Sequence, residues 1–149
     1  MPLDLTDDLR ARFTAALENI PFTKLVGLIV SGLAPDEVRM RLPFRDNVGR
    51  GHGIPHGGAV FTLLDVTAGA MCAIANGAIG AGVTYVTLQA TTQFIGVAHH
   101  EDLECIARPV KIGKSITFVD AEVVSAGIPV ARGSFVFKTT RSGGASGER

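Results

Sequence analysis

Tryptophan is absent from this 149-residue chain, tyrosine occurs once, and aromatic residues make up only 6%. An aryl-stacking pocket therefore leaves no obvious signature. Neither sign of charge is in excess, since 14 Lys and Arg balance 14 Asp and Glu. A nucleic acid or an anionic membrane as main partner calls for a surplus of basic side chains, so neither is expected. Cysteine is also scarce. Cys72 and Cys105 lie far apart in apolar stretches, which suits buried thiols in a reducing compartment better than a disulfide framework or a metal site. The start, MPLDLTDDLRARF, has no apolar core flanked by basic residues, so no signal peptide is expected there. No internal repeat and no domain linker is visible. What is there is ample apolar material, 46% hydrophobic against 19% charged, enough to bury a core. The expectation is a cytoplasmic protein with a single domain over 1–140 and a small, polar, disordered tail over 141–149.

Thr6-Asp7-Asp8, followed by Leu9, Phe13 and Leu17, reads as a short amphipathic helix ending near Pro21. Two strands are predicted next, Leu25 to Leu33 and Glu37 to Leu42, with Pro35-Asp36 as the turn. The segment Pro43 to Pro55 is polar and Gly-rich. A long apolar helix then runs from about Gly57 to Asn76-Gly77. Four extended runs follow: Val83 to Phe94, Asp102 to Val110, Ser115 to Val124 and Ile128 to Thr139. Their short connections predict consecutive antiparallel hairpins. The class is α+β, one long helix against an antiparallel sheet of five to six strands.

The long helix carries the chemical signal. GGAVFTLLDVTAGAMCAI, Gly57 to Ile74, is nearly long enough to span a bilayer. Asp65 near its centre would cost about 2.5–3.5 kcal/mol there, so the segment reads as a helix buried in protein. A helix apolar all round implies a sheet wrapped about it. That core must accommodate the carboxylate of Asp65, either structurally or as an acid–base or nucleophilic group in a cleft. At helical spacing its neighbours are Phe61, Thr62, Ala68 and Gly69, and the last two leave space of the kind a substrate channel needs. His56-Gly57-Gly58 occupies the predicted first turn, where bare backbone N–H groups at the positive end of the helix dipole are natural donors to a carbonyl gaining charge. The same glycines could simply make a tight turn, and His56 could be a cap. A carboxylate two turns from such donors suits acyl-transfer hydrolysis.

His56-Gly57-Gly58, then Leu63 or Leu64 and Asp65, followed by Ala68-Gly69-Ala70, resembles the hotdog-fold acyl-CoA thioesterases of the phenylacetate-degradation (PaaI-like) family. The resemblance covers about Phe22 to Thr139. It implies a long helix wrapped by a curved antiparallel sheet, paired into a homodimer and often a homotetramer. The substrate it implies is an acyl thioester of coenzyme A, cleaved at the dimer interface with no separate cofactor. In that pattern Asp65 is general base or nucleophile, and the Gly57 N–H polarises the thioester carbonyl. Thr87, supplied from the other subunit, helps to position water. The family commonly carries Asn six residues before the histidine. Here that position is Arg50, so Asn47 or His52 would serve if the role is kept.

Arg108, Lys111 and Lys114 surround one predicted hairpin turn and are candidates for the coenzyme A phosphates. His99-His100, accompanied only by Glu101-Asp102, reads as a solvated turn, and no metal site is expected. The alternatives are a non-catalytic acyl-CoA or acyl-carrier binding module and, on the pair His56 and Asp65, hydratase chemistry. The acyl group itself has no signature in the sequence.

Overall fold

The computed structural model describes residues 4–77 and 82–142. Thr6 caps the first helix, α1 (Asp7–Glu18), by accepting from the Leu9 N–H at 3.3 Å, while Asp7 and Asp8 face the positive end of the dipole. Phe13 and Leu17 are buried. Pro21 then starts a second helix, α2 (Pro21–Val26). The strand expected from Leu25 therefore begins only at Ile29. Proline at the first helical position is pre-set for a helix, and Gly27 in the left-handed conformation (φ 84°) ends it.

β1 (Ile29–Ala34) and β2 (Glu37–Leu42) form a hairpin. Val38, Met40 and Leu42 are buried, as their alternation with the arginines predicts. The apolar helix is α3 (Gly57–Ala75), capped at its C-terminus by Asn76. Four strands follow: β3 (Val83–Phe94), β4 (Leu103–Ile112), β5 (Ile116–Ser125) and β6 (Ile128–Arg141). One six-stranded antiparallel sheet results, in the order β1-β2-β4-β5-β6-β3. β4, β5 and β6 are consecutive hairpins. β3 pairs with β6 and not with β4, which corrects the expectation for that step. Arg141, expected in the tail, pairs with Val83 at the end of β6 and donates to the Asn76 carbonyl at 3.1 Å. The remainder of the expected tail, 143–149, lies outside the described residues.

The sheet curves against α3, which touches β2, β3, β4, β5 and β6. Every residue from Thr67 to Ile74 is buried, so the second half of the helix is enclosed in the protein. The first half is not wrapped all round. Gly58, Phe61, Thr62, Asp65 and Val66 remain wholly or partly open, at helical spacing, as one stripe.

A β-bulge interrupts the pairing of β3 with β6 between Thr87 and Gln89. Before it, Val83 and Tyr85 are the half-buried residues; after it, Ala90 and Thr92 are. One extra residue reverses which parity faces the helix. Val86 and Leu88, which in a regular strand would share a face with Ala90, are instead 57% and 55% exposed.

Gly69 does not border a channel, contrary to the sequence expectation. A Cβ there would lie 2.9 Å from Cε2 of Tyr85, whose ring occupies the space. Ala68 is fully buried. We expect Gly69→Val to lower stability by about 1–3 kcal/mol through overpacking, seen as a lower thermal midpoint. An unchanged midpoint would contradict the close contact.

Candidate active site

The loop before α3 is tied off at its base. Val48 O accepts from the His56 N–H at 2.8 Å, Gly49 pairs with Pro55, and Ile54 O accepts from the Arg50 N–H at 2.8 Å. This register puts exposed Arg50 and His52 towards the tip and brings Asn47 beside the start of the helix. Asn47 lines the same cavity as His56 and Gly58. Of the two replacements considered for the missing asparagine, the fold brings Asn47 to the site and leaves His52 out. The loop is braced from outside by the His100 ring, which occupies the place a side chain at Gly53 (φ 71°) would need. His100 also donates its N–H to Gly53 O at 2.7 Å and packs edge-on against Phe44. The expected solvated turn therefore includes a packed histidine. Among the described residues, no cluster of His, Cys, Asp and Glu could hold a metal.

His56 is the N-cap of α3, and its Nδ1 accepts from the Gly58 N–H at 2.8 Å. A neutral ring in this role carries its proton on Nε2. The His56 carbonyl accepts from the N–H groups of Ala59 and Val60 at 2.9 and 3.1 Å. Of the first four N–H groups of the helix, only that of Gly57 lacks a partner among the described residues. It is a half-buried donor at the positive end of a five-turn helix.

Asp65 lies two turns on, half-buried on the open stripe. Its Oδ1 accepts from the Thr87 hydroxyl at 2.9 Å. Among the described residues, no cation pairs with it and nothing donates to Oδ2. The bulge lies immediately after Thr87, on the part of β3 that runs beside α3, so this contact forms within one chain. The resemblance implied a threonine supplied from the other subunit; the single chain shows its own Thr87 at this place. Tyr85 stands next to this pair, unforeseen in the sequence because its significance depends on the contact with Gly69. Burial pushes its phenol up to about 12, with the charges of Cys72 and Asp65 acting in the same direction. Burial likewise pushes the thiols of Cys72 and Cys105 up to about 11 and about 12. Both stay protonated near neutral pH and are poor nucleophiles in that form.

A cavity of about 670 Å³ opens at the start of α3, between that helix, α2 and the Asn47–Gly49 segment. Asp65 does not line it, but Thr62, one turn earlier on the same face, does. The basic candidates lie elsewhere. Arg108 points from the outer face of β4 and is ion-paired with Glu37, lining a separate cavity of about 640 Å³ on the side of the sheet away from α3. Lys111 and Lys114 flank the β4–β5 turn, exposed, and do not line the cavity beside His56.

Residues 52–131 match the family model described as the thioesterase superfamily. A conserved protein of Pseudomonas aeruginosa of known structure is 30% identical, with 84% of this chain and 98% of that one covered at a TM-score of 0.78. AziG of S. sahachiroi is 27% identical, covering 81% of this chain and 97% of its own, with a TM-score of 0.72. A thioesterase of Haemophilus influenzae superposes at a TM-score of 0.80 over 95% of this chain and 96% of its own; at 15% identity this likeness concerns the fold alone. No curated protein sequence matches the chain. The architecture is the hotdog fold that the sequence resemblance implied.

Proposed function

Because the chain belongs to the thioesterase superfamily, we propose that it hydrolyses an acyl thioester of coenzyme A to the free acid and the thiol. The observation that carries this reading is a Gly57 N–H with no acceptor and an Asp65 carboxylate with no counter-ion among the described residues; as they stand about 12 Å apart along one helix, one thioester meets both when Gly57 comes from one copy of the chain and Asp65 from a second. The thioester carbonyl oxygen accepts from the Gly57 N–H, and the helix dipole favours the negative charge that develops there. Asp65 takes the proton from an attacking water, or attacks the carbonyl itself. Either route uses the oxygen that Thr87 leaves free. In the first route, collapse of the tetrahedral intermediate expels the thiolate, which takes the proton back from Asp65; in the second, expulsion of the thiolate leaves a mixed anhydride on Asp65, and water hydrolyses it to the free acid, restoring the carboxylate and supplying the proton to the thiolate. The HGG-x6-D spacing supports assignment to the PaaI-like group. No separate cofactor enters this scheme.

The active unit in this reading is a homodimer, or a tetramer of such dimers, paired along β3. This strand is a free sheet edge of 12 residues, and Val86, Leu88, Phe94, Ile95 and Val97 on and beside it are exposed. A long apolar edge of this kind normally finds a partner. A second copy there would also cover the open stripe of α3. Arg108 is occupied by Glu37 in the single chain, so contacts from it to coenzyme A phosphates would require that pair to open. Lys111 and Lys114 are the freer candidates. Two buried, protonated thiols suit a reducing, cytoplasmic setting.

The deciding experiment follows thiol release from a panel of acyl-CoAs by the wild-type protein. Saturable hydrolysis of at least one is expected. Binding of the panel without thiol release would point to the non-catalytic module.

A further inference from the structure

We infer that the cavity between α2 and the start of α3 receives the acyl group, and that Phe22 and Leu25 select apolar acyl groups larger than acetyl. This inference rests on the thioesterase reading above. α2 is a short helix held in a defined place. Thr23 is buried beneath it, Gly27 closes it, and Arg45 donates to the Val26 carbonyl at 2.7 Å from the position a side chain at Gly27 would take. Its two large apolar side chains are nevertheless turned outward, Phe22 56% and Leu25 72% exposed. They are three residues apart and share a face. With Val26, Val48 and Ala59 they make most of the wall apolar.

The polar groups of the lining all come from the loop and α3, none from α2, and two are already engaged. The Thr62 hydroxyl donates to Gly58 O at 2.8 Å, and His56 Nδ1 caps the Gly58 N–H. Asn47 and the outer nitrogen of His56 remain to meet the polar thioester end. A cavity with an apolar wall at α2 and its polar groups on the loop and the start of α3 fits an acyl chain whose carbonyl lies at the helix start. Its size is within the range of small-molecule pockets. Apolar pockets discriminate by roughly tenfold or more for each methylene they enclose.

The test measures kcat/KM for hexanoyl-CoA and acetyl-CoA in parallel. The wild-type protein should prefer hexanoyl-CoA. Phe22→Ala and Leu25→Ala should each lower the hexanoyl-to-acetyl ratio by about tenfold, whereas Ile128→Ala, at the exposed start of β6 and outside the cavity lining, should leave the ratio where it is. Leu25→Trp, which fills the cavity and does not depend on a loss of folding, should shift preference towards acetyl-CoA. An equal fall for both substrates in the alanine variants would overturn the assignment while leaving the thioesterase reading intact. So would dissociation of the assembly by Leu25→Ala in light scattering, because α2 would then be an interface between copies. Absence of thiol release from any acyl-CoA by the wild-type protein would remove both readings together.

Discussion

Asp65→Asn is expected to lower kcat for thioester hydrolysis by about 10²–10⁴-fold, the range associated with losing a positioned base or nucleophile. The substitution is nearly isosteric. The amide oxygen can still accept from the Thr87 hydroxyl, which now reaches Oδ1 at 2.9 Å, so the local structure should persist. What disappears is the negative charge and the capacity to take a proton. Asp65 is half-buried and has no ion-pair partner among the described residues, so no structural salt bridge is lost. The thermal midpoint should therefore stay close to that of the wild type while thiol release collapses. Equal rates for the two proteins would end the case for Asp65 as the reacting group, whatever the fold.

The second large effect isolates a single N–H group. Gly57→Pro should reduce kcat by about 10²–10³-fold, the usual consequence of deleting one oxyanion donor, with a much smaller change in KM. Proline is suited to this position because Gly57 is the first residue of α3, where the fixed proline φ matches the helix and the N–H has no intrahelical acceptor. The preceding His56 is already extended (φ −67°, ψ 138°), as a residue before proline requires. Gly57→Ala is the matched control. It keeps the N–H, and its Cβ would meet only the Phe94 ring at 3.9 Å, an ordinary contact. Activity retained in Gly57→Ala and lost in Gly57→Pro identifies the N–H itself. Similar losses in both would mean that the glycine matters for space and that the carbonyl is polarised elsewhere.

The parts of the site that were legible are those carried by short sequence separations. The run from Gly57 to Ala75 is long, apolar and interrupted by one carboxylate, and spacing along a helix is a property of the helix alone. Cap, glycine and acid could thus be assigned relative positions before any packing was known. The alternation in β2 and the bounds of β3 were legible for the same reason. Gly69 was misread because its role depends on Tyr85, 16 residues away, whose ring fills the gap. That Thr87 reaches Asp65 of its own chain, and that Val86 and Leu88 turn outward, was not legible, because a bulge reverses strand parity without a composition signal of its own.

Local pattern, then, was sufficient for the helices with strong periodicity, for the class of fold and for the lone acid on an apolar helix, because each is a relation among residues a few positions apart. Loop closure and contacts between distant segments settled the rest: which candidate in the loop reaches the helix start, which hydroxyl meets Asp65, and that Arg108 faces away from them. The last two choices are made by bonds that join residues tens of positions apart, and the first by the irregular register of a loop, so no helical or strand period encodes them.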